Sequence, residues 1–570
     1  MKIIVINTIL LLFLLSCSEN NIENIELEKQ PSSVQLLIEH TKEFDRNIYS
    51  YETPGGNIHI AVGFGIANSI MVEGEGENII IDTSDSIHEA ELIYTEFRKL
   101  NSNPISAIIY THNHGDHNFG TSYYVNNQEK KPMIIAHEST DYYMQRILGI
   151  LNPIISKRST RMFGGTLDDR DLINVGIGKS LNVSKSPLGY VRADTTFKDE
   201  LKLKISGINI ELYHAPGETN DQIFVWLPKH KSLMPGDNIY KTFPNLYTIR
   251  GTTHRDVQGW VDSLDHMRSF NPQYIFPSHT KVIEGKNAMD ALTIYRDAIQ
   301  YIHDQTIRLM NKGLLPDEIA STIKLPPELA ASPFLYEFYG TVRWSVKSIF
   351  NGYLGWFSGE PADLDPLSKK DKAKRLSLLA GGDEELFLEL EDAIVKKDMQ
   401  WSLELISYLE SIDYKSNQLK NYKKEALEYI GKRSSNPNKR NYFLVSAQEI
   451  DLKADEQRNM LTAETLNDMH VDTFFKILAT RYNPSLNNND GNIACFNLLS
   501  SHKSMIFRNH IIEITDTIAP NCNLEIEIPE ILLKQILIGY KGPIESLATG
   551  EIIIKKGGST DFLKLLSIFR

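Results

Sequence analysis

Three histidines and an aspartate fall within six positions in Ile109-Tyr-Thr-His-Asn-His-Gly-Asp-His-Asn-Phe-Gly120. Imidazole lone pairs and carboxylates are ligands for divalent cations, and packing alone gives no reason to gather so many groups that are costly to desolvate on one turn. His112 and His114 alternate, so an extended backbone points both rings the same way. Asp116 and His117 follow Gly115, whose missing side chain permits a tight bend toward a neighbouring point. Two adjacent metal positions are seeded from one loop, each short of ligands. Three later stretches have the character to complete them: HAPGETNDQ with Glu218, MPGDN with Asp237 and FPSHTKVIEG with His279, each entered from an apolar run through proline or glycine. Four histidines and three carboxylates would hold a dinuclear pair with one carboxylate bridging. Such a pair can share a water and lower its pKa to about 7, which supplies hydroxide at neutral pH. Asn245 and Arg250 lie on FPNLYTIRG soon after Asp237. The planar fork of an arginine suits a tetrahedral oxyanion better than a lysine point charge. The alternatives are a surface ion pair of Arg250 with Asp256 and ordinary turn chemistry at Pro244-Asn245. His137, His214, His254 and His266 are read as structural.

The elements that must position these groups are legible as well. Between about Ile58 and Phe276, short β-branched runs (IHIAVGF, SIMVEG, NIIIDTS, ISAIIYTH, PMIIAHE, LKLKISGINIELYHAPG, QIFVWLPK, SLMPGD, YIFPSHT) interleave with helical stretches such as SIHEAELIYTEFRKL. That alternation indicates an α/β layer architecture with chemistry on loops at strand ends. After Lys286 apolar residues recur at helical spacing, which gives an α-helical domain ending near Lys432. Its aromatic stripe (Phe338, Trp344, Phe350, Tyr353, Trp356, Phe357) is read as filling a core or a subunit contact in preference to lining an apolar substrate channel. The polar segment KRSSNPNKRN, 432–441, reads as a linker. Beyond about Leu461, FNLLSS, SMIFRNHIIEITD, LEIEIP and EIIIKKG are strand candidates and DFLKLLSIF is a closing helix.

A chain of 570 residues exceeds one hydrophobic core. Its formal net charge of -13 argues against general affinity for nucleic acid or an anionic membrane surface. Met1-Lys2 leads into an apolar run, Ile3 to Leu15, too short to span a bilayer and suited to a signal peptide. Leu14-Leu15-Ser16-Cys17 resembles the lipobox of bacterial lipoproteins, which implies export, cleavage before Cys17 and a lipid anchor on its thiol at the periplasmic or cell-surface side. Cys495 and Cys522 remain; one bridge between them is compatible with the sequence and not demanded by it.

THNHGDH is similar to the HxHxDH signature of the metallo-β-lactamase superfamily, and ANSIMVEGEGENIIIDT to its first hairpin. More narrowly, PGET, PGDN, NLYTIRG and YLGWFSGEPADLDPL resemble the bacterial alkyl sulfatases of that superfamily. The resemblance implies an α/β multidomain protein: a metallo-β-lactamase αββα sandwich, an α-helical dimerisation domain and a small α+β domain like a sterol carrier protein. The corresponding spans are a signal peptide at 1–17, a tether and N-terminal segment at 18–50, the catalytic domain at 51–290, the helical domain at 291–435 and the last domain at 455–570. It further implies that His112, His114 and Glu218 bind one Zn2+, that Asp116, His117 and His279 bind the other, and that Asp237 bridges. The same resemblance implies that Asp116 and Asp237 are the catalytic carboxylates and that Asn245 and Arg250 contact sulfate. Iron or manganese also suits a site with added carboxylates. Tyr190 and Arg161 lie in a segment to which family members contribute pocket residues. The implied activity is hydrolysis of amphiphilic alkyl sulfate esters to alcohol and inorganic sulfate by a homodimer. The competing readings are a hydrolase of lactones, thioesters or phosphate esters, and a non-catalytic lipid-binding lipoprotein.

Overall fold

The computed structural model describes residues 33–181, 188–451, 469–485 and 489–569. The expected signal peptide, Cys17 and the first part of the expected tether lie outside them. Among the described residues no helix is long and apolar enough to cross a membrane.

Two sheets build the catalytic body. The first has seven strands in sequence order: β1 (Asn47–Thr53), β2 (Gly56–Val62), β3 (Ser69–Glu73), β4 (Asn78–Ile81), β5 (Ile105–Ile109), β6 (Met133–His137) and β7 (Thr195–Phe197). It is antiparallel through β4 and parallel from β4 to β7. The second, in spatial order β13 to β8, comprises β8 (Glu200–Ile205), β9 (Ile208–His214), β10 (Ile223–Leu227), β11 (Ser232–Met234), β12 (Tyr274–Ile275) and β13 (Ile283–Glu284). Strand alternation assigns the faces. Ile79, Ile81, Ala107 and Ile109 meet Leu212, Val225 and Met234 between the sheets. Ile80 and Ile108 point the other way, onto Ala90, Ile93 and Phe97 of helix α2 (Ile87–Leu100). This is why NIII and ISAII read as continuous apolar runs: both faces are covered.

The N-terminal segment is more structured than a tether from 33 onward. Helix α1 (Ser33–His40) buries Leu37, and His40 Nε2 donates to the Gly176 carbonyl at 2.7 Å. Residues 47–53 are the edge strand β1.

The metal loop holds a short helix, α3 (Gly115–Asn118). Gly115 serves it through space, since a Cβ there would sit 2.1 Å from the Phe119 ring, and its φ is not in the left-handed region. Next come α4 (Thr140–Leu148), α5 (Asn152–Met162) and, against the outer face of the second sheet, α6 (Val257–Ser269). The long helix α7 (Lys286–Met310) shares the core of Trp260 and Leu264, so the catalytic and helical regions have one continuous interior.

Helix α8 (Val342–Leu354) starts at the Thr341 cap, and the aromatic stripe around it divides. Phe338 and Phe350 are buried, whereas Tyr353 and Trp356 are exposed. Helix α9 (Lys369–Ala380) follows, and farther on α10 (Ser416–Arg433) and α11 (Pro437–Gln448) enclose the expected linker. The segment 432–441 is instead a tight helix-to-helix corner. Asn436 caps α11, Arg440 donates to the Gly431 and Lys432 carbonyls, and both helices pack closely.

The C-terminal body has a five-stranded sheet ordered β16-β15-β14-β17-β18, from β14 (Ile493–Asn497), β15 (His502–Arg508), β16 (Ile511–Thr515), β17 (Leu524–Glu527) and β18 (Ile553–Lys556). Helices α12 (Val471–Arg481) and α13 (Ser559–Ser567) cover it through Phe475 and Phe562. FNLLSS contributes only Phe496 and Asn497 to a strand; the rest is a turn. Asn509 and His510, both at positive φ, close the β15–β16 hairpin. Cys495 and Cys522 are joined in a disulfide with Cα atoms 5.9 Å apart.

Candidate metal centre

His112, His114 and Asp116 leave the carboxyl end of β5, Glu218 follows β9, Asp237 follows β11 and His279 follows β12. All seven expected side chains, His117 among them, converge at one rim of the sandwich. His112 Nε2 lies 2.9 Å from His114 Nδ1. Asp237 Oδ2 is 3.6 Å from His112 Nε2, 3.4 Å from His117 Nε2 and 3.2 Å from His279 Nε2. Asp116 Oδ2 stands 3.5 Å from His117 Nε2 and 3.7 Å from His279 Nε2. Most of these separations are long for hydrogen bonds. They match donors sharing a tetrahedral ion, whose ligand atoms stand roughly 3.3 Å apart when bonds are about 2 Å. His117 Nε2 and Asp237 Oδ1, fully buried, have no hydrogen-bond partner among the described residues. The residues present therefore fit a divalent metal. Three donor groups emerge: His112, His117 and Asp237; Asp116, His117 and His279; His114, Glu218 and Asp237. His117 and Asp237 each belong to two of them.

The outward nitrogens are fixed by neighbours, which orients the inward ones. His117 Nδ1 donates to Asp82 Oδ2 at 2.7 Å, and His279 Nδ1 to the Ile66 carbonyl at 2.9 Å. Asp82 also accepts from Thr111 N, Thr111 Oγ1 and Ser278 Oγ, so one buried acid ties the loops after β4, β5 and β12 together. It sits at φ 57° and Ser84 at φ 72°, conformations that L-residues adopt at a cost and that cluster at functional sites.

Burial holds His112 and His114 well below the usual imidazole range, so both present neutral lone pairs. Burial opposes charge on His117 too, but Asp237, Asp116 and Asp82 outweigh it and raise the ring. Asp116 resists burial through His117 and falls to about 2. Glu218 is pushed up to about 7 by burial, against the pull of Arg255.

Arg255, Tyr240 and Asp82 are site residues that the sequence reading passed over. Arg255 Nη1 is 3.0 Å from Glu218 Oε1, and Tyr240 OH donates to Glu218 Oε2 at 3.2 Å. Asp82 had a signal, an acid ending a wholly apolar strand; Arg255, beside the helix-capping Asp256, had none. Arg250 does not pair with Asp256, which caps α6 through Gly259 N. Its Nη2 instead donates to His114 Nε2 at 3.0 Å. Asn245 is buried with both carboxamide atoms unpartnered among the described residues, and its N–H donates to Tyr240 OH. Arg161 pairs with Glu449 and Tyr190 OH donates to Asp141, so neither reaches the metal loop. His137 stacks on His214 at 4.2 Å and His266 packs against Tyr213, outside the centre.

A cavity of about 240 Å³ opens beside this rim. Asn113, His114 and Arg250 form polar lining, and Ile147, Leu151 and Ile155 of the α4–α5 region form apolar lining.

The Metallo-beta-lactamase superfamily matches residues 62–279, and the Alkyl sulfatase dimerisation family matches 315–453. A linear primary-alkylsulfatase from a Pseudomonas species is 32% identical over 520 residues, covering 88% of this chain and 98% of that protein. The chain belongs to the alkyl sulfatases of the metallo-β-lactamase superfamily. The alkyl/aryl-sulfatase BDS1 of Saccharomyces cerevisiae is 26% identical over 441 residues, 75% of this chain and 68% of that protein. In fold, the stereoselective inverting sec-alkylsulfatase Pisa1 from Pseudomonas sp. superposes with a TM-score of 0.84 at 21% identity, over 95% of this chain and 88% of that one. The resemblance inferred from PGET, PGDN and NLYTIRG is thereby borne out at the level of family and architecture, αββα sandwich first and helical region after it.

Proposed function

We propose that this alkyl sulfatase hydrolyses amphiphilic alkyl sulfate esters with two Zn2+ ions held by His112, His114 and Glu218 on one side, Asp116, His117 and His279 on the other, and Asp237 between. The observation that carries the reading is the convergence of seven donors at ligand spacing beside an arginine and a half-apolar cavity. When bound, the ion pair supplies an activated water and charge neutralisation. The rest falls to the chain. Asp116, with 19% of its side chain exposed, would accept the proton of the entering water. Were His114 to hold a cation through Nδ1, its proton would sit on Nε2 and it would not accept from Arg250. The guanidinium then needs another acceptor, and a sulfate oxygen is one. Asn245, whose carboxamide is unpartnered among the described residues, would add a donor. Water enters, the ester bond breaks, and alcohol, sulfate and a proton leave. Ile147, Leu151 and Ile155 shelter the alkyl chain, each buried methylene contributing about 0.8 kcal/mol.

The test is elemental analysis of protein purified without chelators, paired with sulfate release from decyl sulfate. We expect about two metal ions per chain, zinc before iron or manganese, and turnover abolished by chelation and by His114→Ala in protein that remains folded. Turnover of a lactone, thioester or phosphate ester in preference to decyl sulfate would move the assignment within the superfamily. Amphiphile binding without chelator-sensitive hydrolysis would leave only a lipid-binding protein.

The same reading makes the protein a homodimer through its helical region, where Trp356, Leu378, Leu379 and Val395 are each more than 70% exposed. It also makes it an exported lipoprotein anchored at Cys17; the Cys495–Cys522 disulfide supports an oxidising compartment. The C-terminal body serves as a sterol-carrier-like module that gathers apolar molecules.

A further inference from the structure

Helix α4 has three faces with three different neighbours. Tyr143, Arg146 and Ile147 line the cavity beside the metal loop. Thr140 and Met144 turn into the catalytic body, where Thr140 Oγ1 donates to Asp221 Oδ2 at 2.7 Å. Asp221 also accepts from Asn113, the residue between His112 and His114. Asp141, Gln145 and Gly149, spaced four apart on the third face, meet the start of the C-terminal body. His470 Nε2 is 3.1 Å from Asp141 Oδ2, and His470 N donates to Gln145 Oε1 at 3.2 Å. A Cβ on Gly149 would stand 2.5 Å from Thr473 Cγ2, so the two bodies approach closely there. His470 is itself held: Met469 is buried in the C-terminal core, and the buried Lys534 donates to its carbonyl.

We infer that the C-terminal domain sets the apolar wall of the substrate cavity by clamping α4, with His470 as the positioning residue. Helix α4 carries cavity residues on one face and the C-terminal clamp on another. With the clamp released, the wall rests on Thr140 and the buried Met144, on the bond from Asn220 to Tyr143 OH, and on contacts of Tyr190 and Arg192 with Asp141. An alkyl chain that packs against Ile147 needs the wall in place, while the sulfate end, gripped at Arg250, does not. Selectivity for long chains is therefore built across two domains.

This inference rests on the sulfatase reading for its ligand class, so its test needs no turnover. In the full-length protein, His470→Ala is compared with wild type and with His470→Gln, whose carboxamide can still donate to Asp141. The probes are the uncleavable dodecyl and butyl sulfonates, and amide hydrogen exchange is followed over residues 140–148. We expect faster exchange in α4 and about fivefold weaker binding of dodecyl sulfonate, equivalent to about 1 kcal/mol, with butyl sulfonate unchanged and the Gln variant restored. Unchanged exchange, or equal losses for both sulfonates, would overturn it, as would a wild type that binds neither. Wild-type binding of dodecyl sulfonate without cleavage of decyl sulfate would sink the proposed function and leave the clamp standing.

Discussion

Arg250 and His114 illustrate how single residues combine at this centre. Lysine at position 250 would keep the charge but lose the planar pair of donors, and its point charge is more strongly hydrated. Arg250→Lys should lower kcat/KM for decyl sulfate by about ten- to a hundredfold, about 1.4 to 2.7 kcal/mol, and that for a neutral ester far less. Parallel rates on the two esters are the measurement; equal losses would remove the anion-binding role. The convergence of His112, His114, Asp116, His117, Glu218, Asp237 and His279 was legible because candidate ligands are marked by residue type, local spacing and position at strand ends. Arg255 and Tyr240 were not. They matter only because folding buries Glu218 and brings both onto its oxygens. Nothing local to an arginine before a helix cap announces that.

At the scale of elements, runs buried on both faces or on an amphipathic stripe could be placed from periodicity, while short edge strands and corners could not. β7 and β13 are too brief to carry a pattern, and the polar 432–441 corner looks like a linker because its capping residues are also linker residues. Helix α9 is a different case, with apolar residues left exposed among the described residues. Ala373 and Ser377 face inward, yet Leu378 and Leu379 are 78% and 84% exposed at its end. If they meet a second copy, Leu378→Asp with Leu379→Asp should give monomers in light scattering at unchanged helical circular dichroism. A dimer that survives both changes would place the contact elsewhere.

For the whole molecule, the catalytic sandwich, the helical region and the C-terminal body act on one site. Tyr295 of α7 and Tyr339 surround Tyr240, which holds Glu218, and the C-terminal body reaches α4. Cellular placement is a property of the full chain. We expect incorporation of labelled lipid, lost in Cys17→Ala, together with an oxidised Cys495–Cys522 pair in protein taken directly from cells. Thiol alkylation followed by mass analysis reads the pair, and free thiols there would argue against an oxidising compartment.

By itself the sequence determined the class of chemistry, the order of the structural units and the family, because ligand types, strand-end turns and hydrophobic periodicity are local properties of the chain. Only the tertiary structure decided that Asp82 ties three loops to one histidine, that Arg250 faces His114 and not Asp256, and that the C-terminal body touches a cavity wall formed more than 300 residues earlier. Those pairings depend on which surfaces close together when apolar faces are buried, and that distance in space is not encoded in any short window of residues.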